Sequence, residues 1–147
     1  MILHSNDLSR YRGKVTMVEG CFDPLHAGHI SYFKAAKKVG LPVLCNIASD
    51  KHIAGKHAVL LPENERVLLL DSLRDIDFVH LNHISTADVL EKLAPRYFVK
   101  GNEFEGKVKK EEVRVCEEKG IKIILTDTNT QSSSRILKEF YAGHRAA

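Results

Sequence analysis

The sequence predicts an α/β domain: a Rossmann-like, doubly wound parallel sheet with helices on both faces. Three observations carry the prediction. Short apolar runs alternate with helically patterned segments. Several of those runs are apolar on both faces, as strands covered on each side must be. Glycines fall where helices and strands have to stop. The 147 residues fit one domain, and 44% hydrophobic with 28% charged residues describes a chain that builds a core.

The elements follow in order. Residues 1–13 are mostly polar and are expected to be a lead-in, with the domain spanning 14–147. Lys14–Glu19 is a strand ended by Gly20. His29–Val39 carries Ile30, Phe33, Ala36 and Val39 at helical spacing, and Gly40 stops it. Pro42–Ala48 is a second buried strand. Pro62 opens a helix containing Val67, Leu68, Leu70 and Leu73; proline suits the first turn, where its missing N–H is no loss. Asp77–Leu81 is a third strand. Ser85 caps a helix to Leu93, with Asp88 three residues on as an approximate capping box. Tyr97–Lys100 is a fourth strand ended by Gly101. Lys109–Lys119 is a charged helix stopped by Gly120, and Ile121–Leu125 a fifth strand. Ser132–Ala142 is the last helix, with Ile136, Leu137 and Phe140 facing inward. Five strands alternating with five helices make right-handed βαβ crossovers.

Charge and cysteine usage narrow the function. A net charge of +3, from lysines and arginines spread along the chain, is too weak to argue for nucleic acid. The three cysteines, Cys21, Cys45 and Cys116, are widely separated with no CxxC pair, which argues against a disulfide framework or a zinc site. Reduced thiols suggest a cytoplasmic setting. The first residues lack the apolar run of a signal peptide, and no stretch approaches the length of a membrane span.

In doubly wound sheets, ligands bind beyond the carboxyl ends of the strands. The loop after the first predicted strand reads Gly20-Cys21-Phe22-Asp23-Pro24-Leu25-His26-Ala27-Gly28-His29. His26 and His29 share one side of a helix start, where backbone N–H groups and the helix dipole favour phosphate. Gly28 permits close approach. Residue chemistry alone leaves three readings: a phosphate site, a helix start with two solvated histidines, or a metal site whose third ligand is missing at any telling spacing. A dinucleotide-binding redox protein would need a GxGxxG turn here, and none is present.

The string GCFDPLHAGH resembles the HxGH signature of the cytidylyltransferase-like nucleotidyltransferase superfamily. That group includes glycerol-3-phosphate cytidylyltransferase, the heptose-phosphate adenylyltransferase domain and phosphopantetheine adenylyltransferase. Pro62-Glu63-Asn64-Glu65-Arg66 followed by Leu73-Arg74-Asp75-Ile76-Asp77, the Val99–Phe104 loop, and Gln131-Ser132-Ser133-Ser134-Arg135-Ile136-Leu137 are similar to its further landmarks, in the right order. The resemblance covers nearly the whole chain and lies nearest the glycerol-3-phosphate and heptose-phosphate branch.

The resemblance implies transfer of CMP or AMP from CTP or ATP, with Mg²⁺, to a phosphorylated sugar or polyol, releasing pyrophosphate. His26, His29 and Lys56 would be catalytic, with Lys51 the competing lysine. Gly20, Cys21, Phe22, Gly28, Gly101, Glu103 and Ser132, Ser133 and Ser134 would join the histidines in binding nucleotide. Glu103 stands where the family has an Asp that contacts the ribose; an exposed loop acid is the plain alternative. Likewise one serine at a helix start is ordinarily a cap. The family also implies a homodimer. The rival reading from another class is a catalytically inactive nucleotide-binding regulatory module.

Overall fold

A computed structural model describes residues 1–127 and 133–145, with side chains of the last helix described from 135 to 143. The elements are β1 (Ile2–Leu3), β2 (Thr16–Gly20), α1 (Ala27–Lys37), β3 (Val43–Ala48), α2 (Asp50–Ala54), α3 (Glu63–Asp71), β4 (Phe78–Asn82), α4 (Thr86–Leu93), β5 (Tyr97–Gly101), α5 (Lys110–Lys119), β6 (Lys122–Thr126) and α6 (Ser133–Arg145). Two 3-10 turns, Leu8–Tyr11 and Asn102–Phe104, complete the order. The sheet is parallel throughout, in the order β1-β4-β3-β2-β5-β6.

Strand alternation builds two cores. Val18, Cys45 and Val99 face one side, under Tyr32, Phe33 and Ala36 of α1 and Val67 and Leu70 of α3. Their neighbours Met17, Leu44 and Phe98 face the other, under Val89, Leu90 and Leu93 of α4 and Val115 and Cys116 of α5. Strands buried on both faces thus explain the unbroken apolar runs of the sequence. Ser85 accepts from Asp88 N–H at 3.0 Å and donates to its carboxylate at 2.8 Å, the expected cap of α4.

The structure corrects three expectations. Among the described residues the sheet has six strands, not five. Ile2 and Leu3 pair with Val79 and His80 of β4, and Leu8 behind them is fully buried. Two residues are too short a run for periodicity to register as a strand. The sequence places no helix between the second predicted strand and the one opened by Pro62, but the segment after β3 turns into α2, capped by Ser49, which accepts from His52 N–H at 3.3 Å. Phe140, expected to face inward, is exposed, its ring packed edge-on against Tyr141. Helical spacing marks a shared face but does not say whether anything covers it.

Candidate active site

The chain reverses direction across the sheet at β2. From there β3 and β4 are laid to one side, and β5 and β6 to the other. Such a switch point opens a crevice because the loops leaving the two central strands diverge. Here the gap is visible in the register. β2 pairs with β3 over five positions, but with β5 only at Thr16↔Tyr97 and Met17↔Phe98. Beyond Met17 the strands part, and side chains bridge them. The Tyr32 hydroxyl accepts from Glu19 N–H of β2 at 3.3 Å and donates to Val99 C=O of β5. Lys100 of β5 reaches back to the Glu19 carboxylate at 2.7 Å, and Thr86 Oγ1 donates to its other oxygen at 2.9 Å. Both members of this ion pair are largely buried. The Phe104 ring, 4.1 Å from the Lys100 ammonium, caps it.

The loop from Gly20 to His26 is held by buried polar groups. Phe22 takes a left-handed φ of 53°, which drives its ring into the core against Phe33 and His29. A Cβ on Gly20 would come within 2.9 Å of that ring, so the position needs glycine. The fully buried Asp23 accepts from the backbone of Leu60 at 2.8 Å and Leu61 at 2.7 Å. Arg66, 1% exposed, donates to the carbonyls of Cys21, Ala48 and Leu61 and to Asp50 at 2.7–2.9 Å. One guanidinium therefore joins the loops after β2 and β3 to the start of α3.

His26 is the cap of α1. Its Nδ1 accepts from Gly28 N–H at 3.1 Å, while His29 Nδ1 accepts from His26 N–H at 3.2 Å. The two rings stack with centroids 3.7 Å apart. An accepting Nδ1 in a neutral ring places the proton on Nε2, so both histidines offer an Nε2–H donor. Burial lowers both pKa values, and for His29, with His26 beside it, down to about 3. Both are neutral donors at pH 7. His26 Nε2 is buried and has no hydrogen-bond partner among the described residues. A buried donor left unpaired is costly, and an anion at this helix start would satisfy it.

Beside this loop lies a cavity of about 660 Å³, walled by the carboxyl ends of β2, β3 and β4, the start of α4 and the segment leading into α5. Gly20 and Cys21 line it, as do both candidate lysines, Lys51 and Lys56. Lys56 is near enough to Cys21 for its charge to oppose the burial that raises the thiol's pKa.

The remaining sequence candidates fall elsewhere. Phe22 is inside the core, so only its backbone is available to a ligand. Glu103 is exposed in the 3-10 turn, its carboxylate folded back over Gly101 where a Cβ would overlap it. Ser132 lies outside the described residues, as do the side chains of Ser133 and Ser134. Residue patterns did not single out Glu19, Lys100 or Asn46. A signal existed, since each is a polar residue inside an apolar strand. Glu112 gave none, because α5 is acidic and basic along its length.

A parallel sheet with a switch point and a histidine-capped helix at its central strand defines a Rossmann-like ligand-binding domain. Residues 17–139 match the cytidylyltransferase-like family model, and the chain belongs to that family of nucleotidyltransferases. It is 32% identical to bifunctional protein HldE of Citrifermentans bemidjiense over 98% of this chain and 31% of that one. Against the HldE of a Nitratiruptor species it is 34% identical over 71% of this chain and 24% of that one. The chain thus spans under a third of the length of these curated relatives. A lipopolysaccharide core biosynthesis protein from Thermoplasma volcanium shares the structure with a TM-score of 0.67 and 26% identity, over 79% of this chain and 98% of that one.

Proposed function

We infer that the chain transfers a nucleoside monophosphate from CTP or ATP to a sugar or polyol phosphate, releasing pyrophosphate. The observation that carries this is the stacked His26–His29 pair: two neutral Nε2–H donors at a helix start, one of them buried and unpartnered. Family membership and relatives named for bifunctional HldE and lipopolysaccharide core biosynthesis support the reaction class and the sugar phosphate.

The chemistry asks for positioning and charge neutralisation rather than a strong base. The acceptor phosphate, already an anion at pH 7, attacks the α-phosphorus as the bond to pyrophosphate breaks on the opposite side. His26 and His29 donate to the transferring and leaving phosphates. Lys56, with Lys51 on the same cavity wall, offsets repulsion between the two anions. Among the described residues no three His, Cys, Asp or Glu side chains cluster to hold a metal. A Mg²⁺ ion brought with the triphosphate would supply further charge neutralisation beside His26, His29 and Lys56. The test is pyrophosphate release from CTP and from ATP, each with a panel of sugar and polyol phosphates. Release with no acceptor in the panel would overturn the reading.

A further inference from the structure

Glu112 projects from α5 into the wall of the cavity, and it is only 5% exposed. Its carboxylate makes no hydrogen bond or ion pair among the described residues. The nearby Lys100 is committed to Glu19. Burial and the Glu19 charge raise its pKa, against the pull of Lys100 and Lys109. A carboxylate held in the cavity wall with no protein partner is an acceptor available to a ligand in that cavity.

Asn46 is in the complementary position. It is 2% exposed on β3, directly across from Glu19 in the sheet, and its side chain also lines the cavity. Its Oδ1 lies 2.8 Å from His80 Nδ1, and His80 Nε2 lies 2.9 Å from Ser5 Oγ. His80 is buried, and its pKa falls to about 4, so the ring is neutral. With the Ser5 hydroxyl donating to Nε2, the ring proton is on Nδ1 and is given to Asn46 Oδ1. The Asn46 amide N–H groups are then left for the cavity.

Deep in the cavity wall the nearly buried Glu112 offers an acceptor and the nearly buried Asn46 a donor, within walls carrying five lysines against three glutamates. A net positive cavity takes an anion rather than an ammonium group. An acceptor carboxylate inside it calls for neutral donors on that anion, namely hydroxyls.

We propose that Glu112 and Asn46 are specificity-determining residues that read the hydroxyl groups of a phosphorylated polyol or sugar seated in this cavity. The inference rests on the nucleotidyltransfer reading for the identity of the cavity's occupant. Glu112 accepts from one hydroxyl, and the Asn46 amide donates to another oxygen of the same molecule. His80 and Ser5 are positioning residues, which hold the Asn46 amide in one orientation.

The experiment compares the wild-type protein with Glu112→Gln and Asn46→Ala, using the best phosphorylated acceptor of the panel and its deoxy analogues. Gln keeps an accepting amide oxygen, so the exchange turns a charge-assisted hydrogen bond into a neutral one and weakens binding on the order of 3–10-fold. Glu112→Gln is expected to raise the acceptor KM by that factor, with the triphosphate KM unchanged and kcat within a few-fold. It should also leave the melting temperature unchanged, because the carboxylate has no hydrogen bond or ion pair among the described residues to lose. The wild-type enzyme should discriminate against one deoxy analogue, and the variant should discriminate against it less. An unchanged acceptor KM overturns the proposal, as does a raised triphosphate KM or a preference for an amino-alcohol phosphate. If the wild-type protein turns over no acceptor, nucleotidyltransfer fails separately. Calorimetric titration of the same sugar and polyol phosphates then decides, and no loss of binding in Glu112→Gln would overturn the cavity assignment.

Discussion

Replacing Tyr32 with Phe isolates the hydroxyl that spans the parted strands β2 and β5. The ring stays, so the packing of a side chain 6% exposed against the core is retained. Two main-chain groups lose their partner: the N–H of Glu19 and the C=O of Val99. Each buried polar group left unsatisfied costs about 1–3 kcal/mol, and together they predict a loss of about 2–6 kcal/mol. For a chain of 147 residues this lowers Tm by roughly 4–24 °C. Urea unfolding of both proteins at pH 7 measures it, with an unchanged m-value showing that the same surface is exposed. A loss below about 0.5 kcal/mol would mean that the strands close, or that water replaces the hydroxyl without penalty. The bridge would then not hold the switch-point crevice.

Other outcomes follow from the same geometry. His29→Ala is expected to lower kcat by roughly 10²-fold or more, the scale for losing one preorganised donor, and His26→Ala to behave similarly. Near-normal turnover in either variant would remove that residue from catalysis. The folded-state pKa of His29, about 3, and of His80, about 4, lie below the unfolded value, so the unfolded chain takes up protons first as pH falls. Stability should decline as pH falls through 6.5, by up to about 1.4 kcal/mol per pH unit for each histidine, until about pH 4 for His80 and about pH 3 for His29. His80→Gln should flatten that decline in chemical unfolding measured across the window, and an identical profile would refute the assignment. The homodimer implied by the family resemblance should appear in light scattering as twice the 16.5 kDa chain mass at micromolar concentration; a monomer would refute it.

Much of this protein was legible in its residues, because local physics decides it. Apolar runs of strand length and helical spacing between them depend on neighbours along the chain, and they predicted five of the six strands. The GCFDPLHAGH string placed His26 and His29 at a helix start because capping is a local matter of backbone N–H groups and nearby side chains. Tertiary structure decided what depends on distant partners. Ile2–Leu3 is a strand only because β4 offers an edge. Arg66 becomes a clamp on two loops only once β2, β3 and α3 converge. Glu19 and Lys100 are 81 residues apart and meet across the switch point. Glu112 is one acid among several on α5, and only the packing of that helix buries most of the residue in the wall of a cavity. Burial is a property of the assembled fold, which is why local pattern could not assign it.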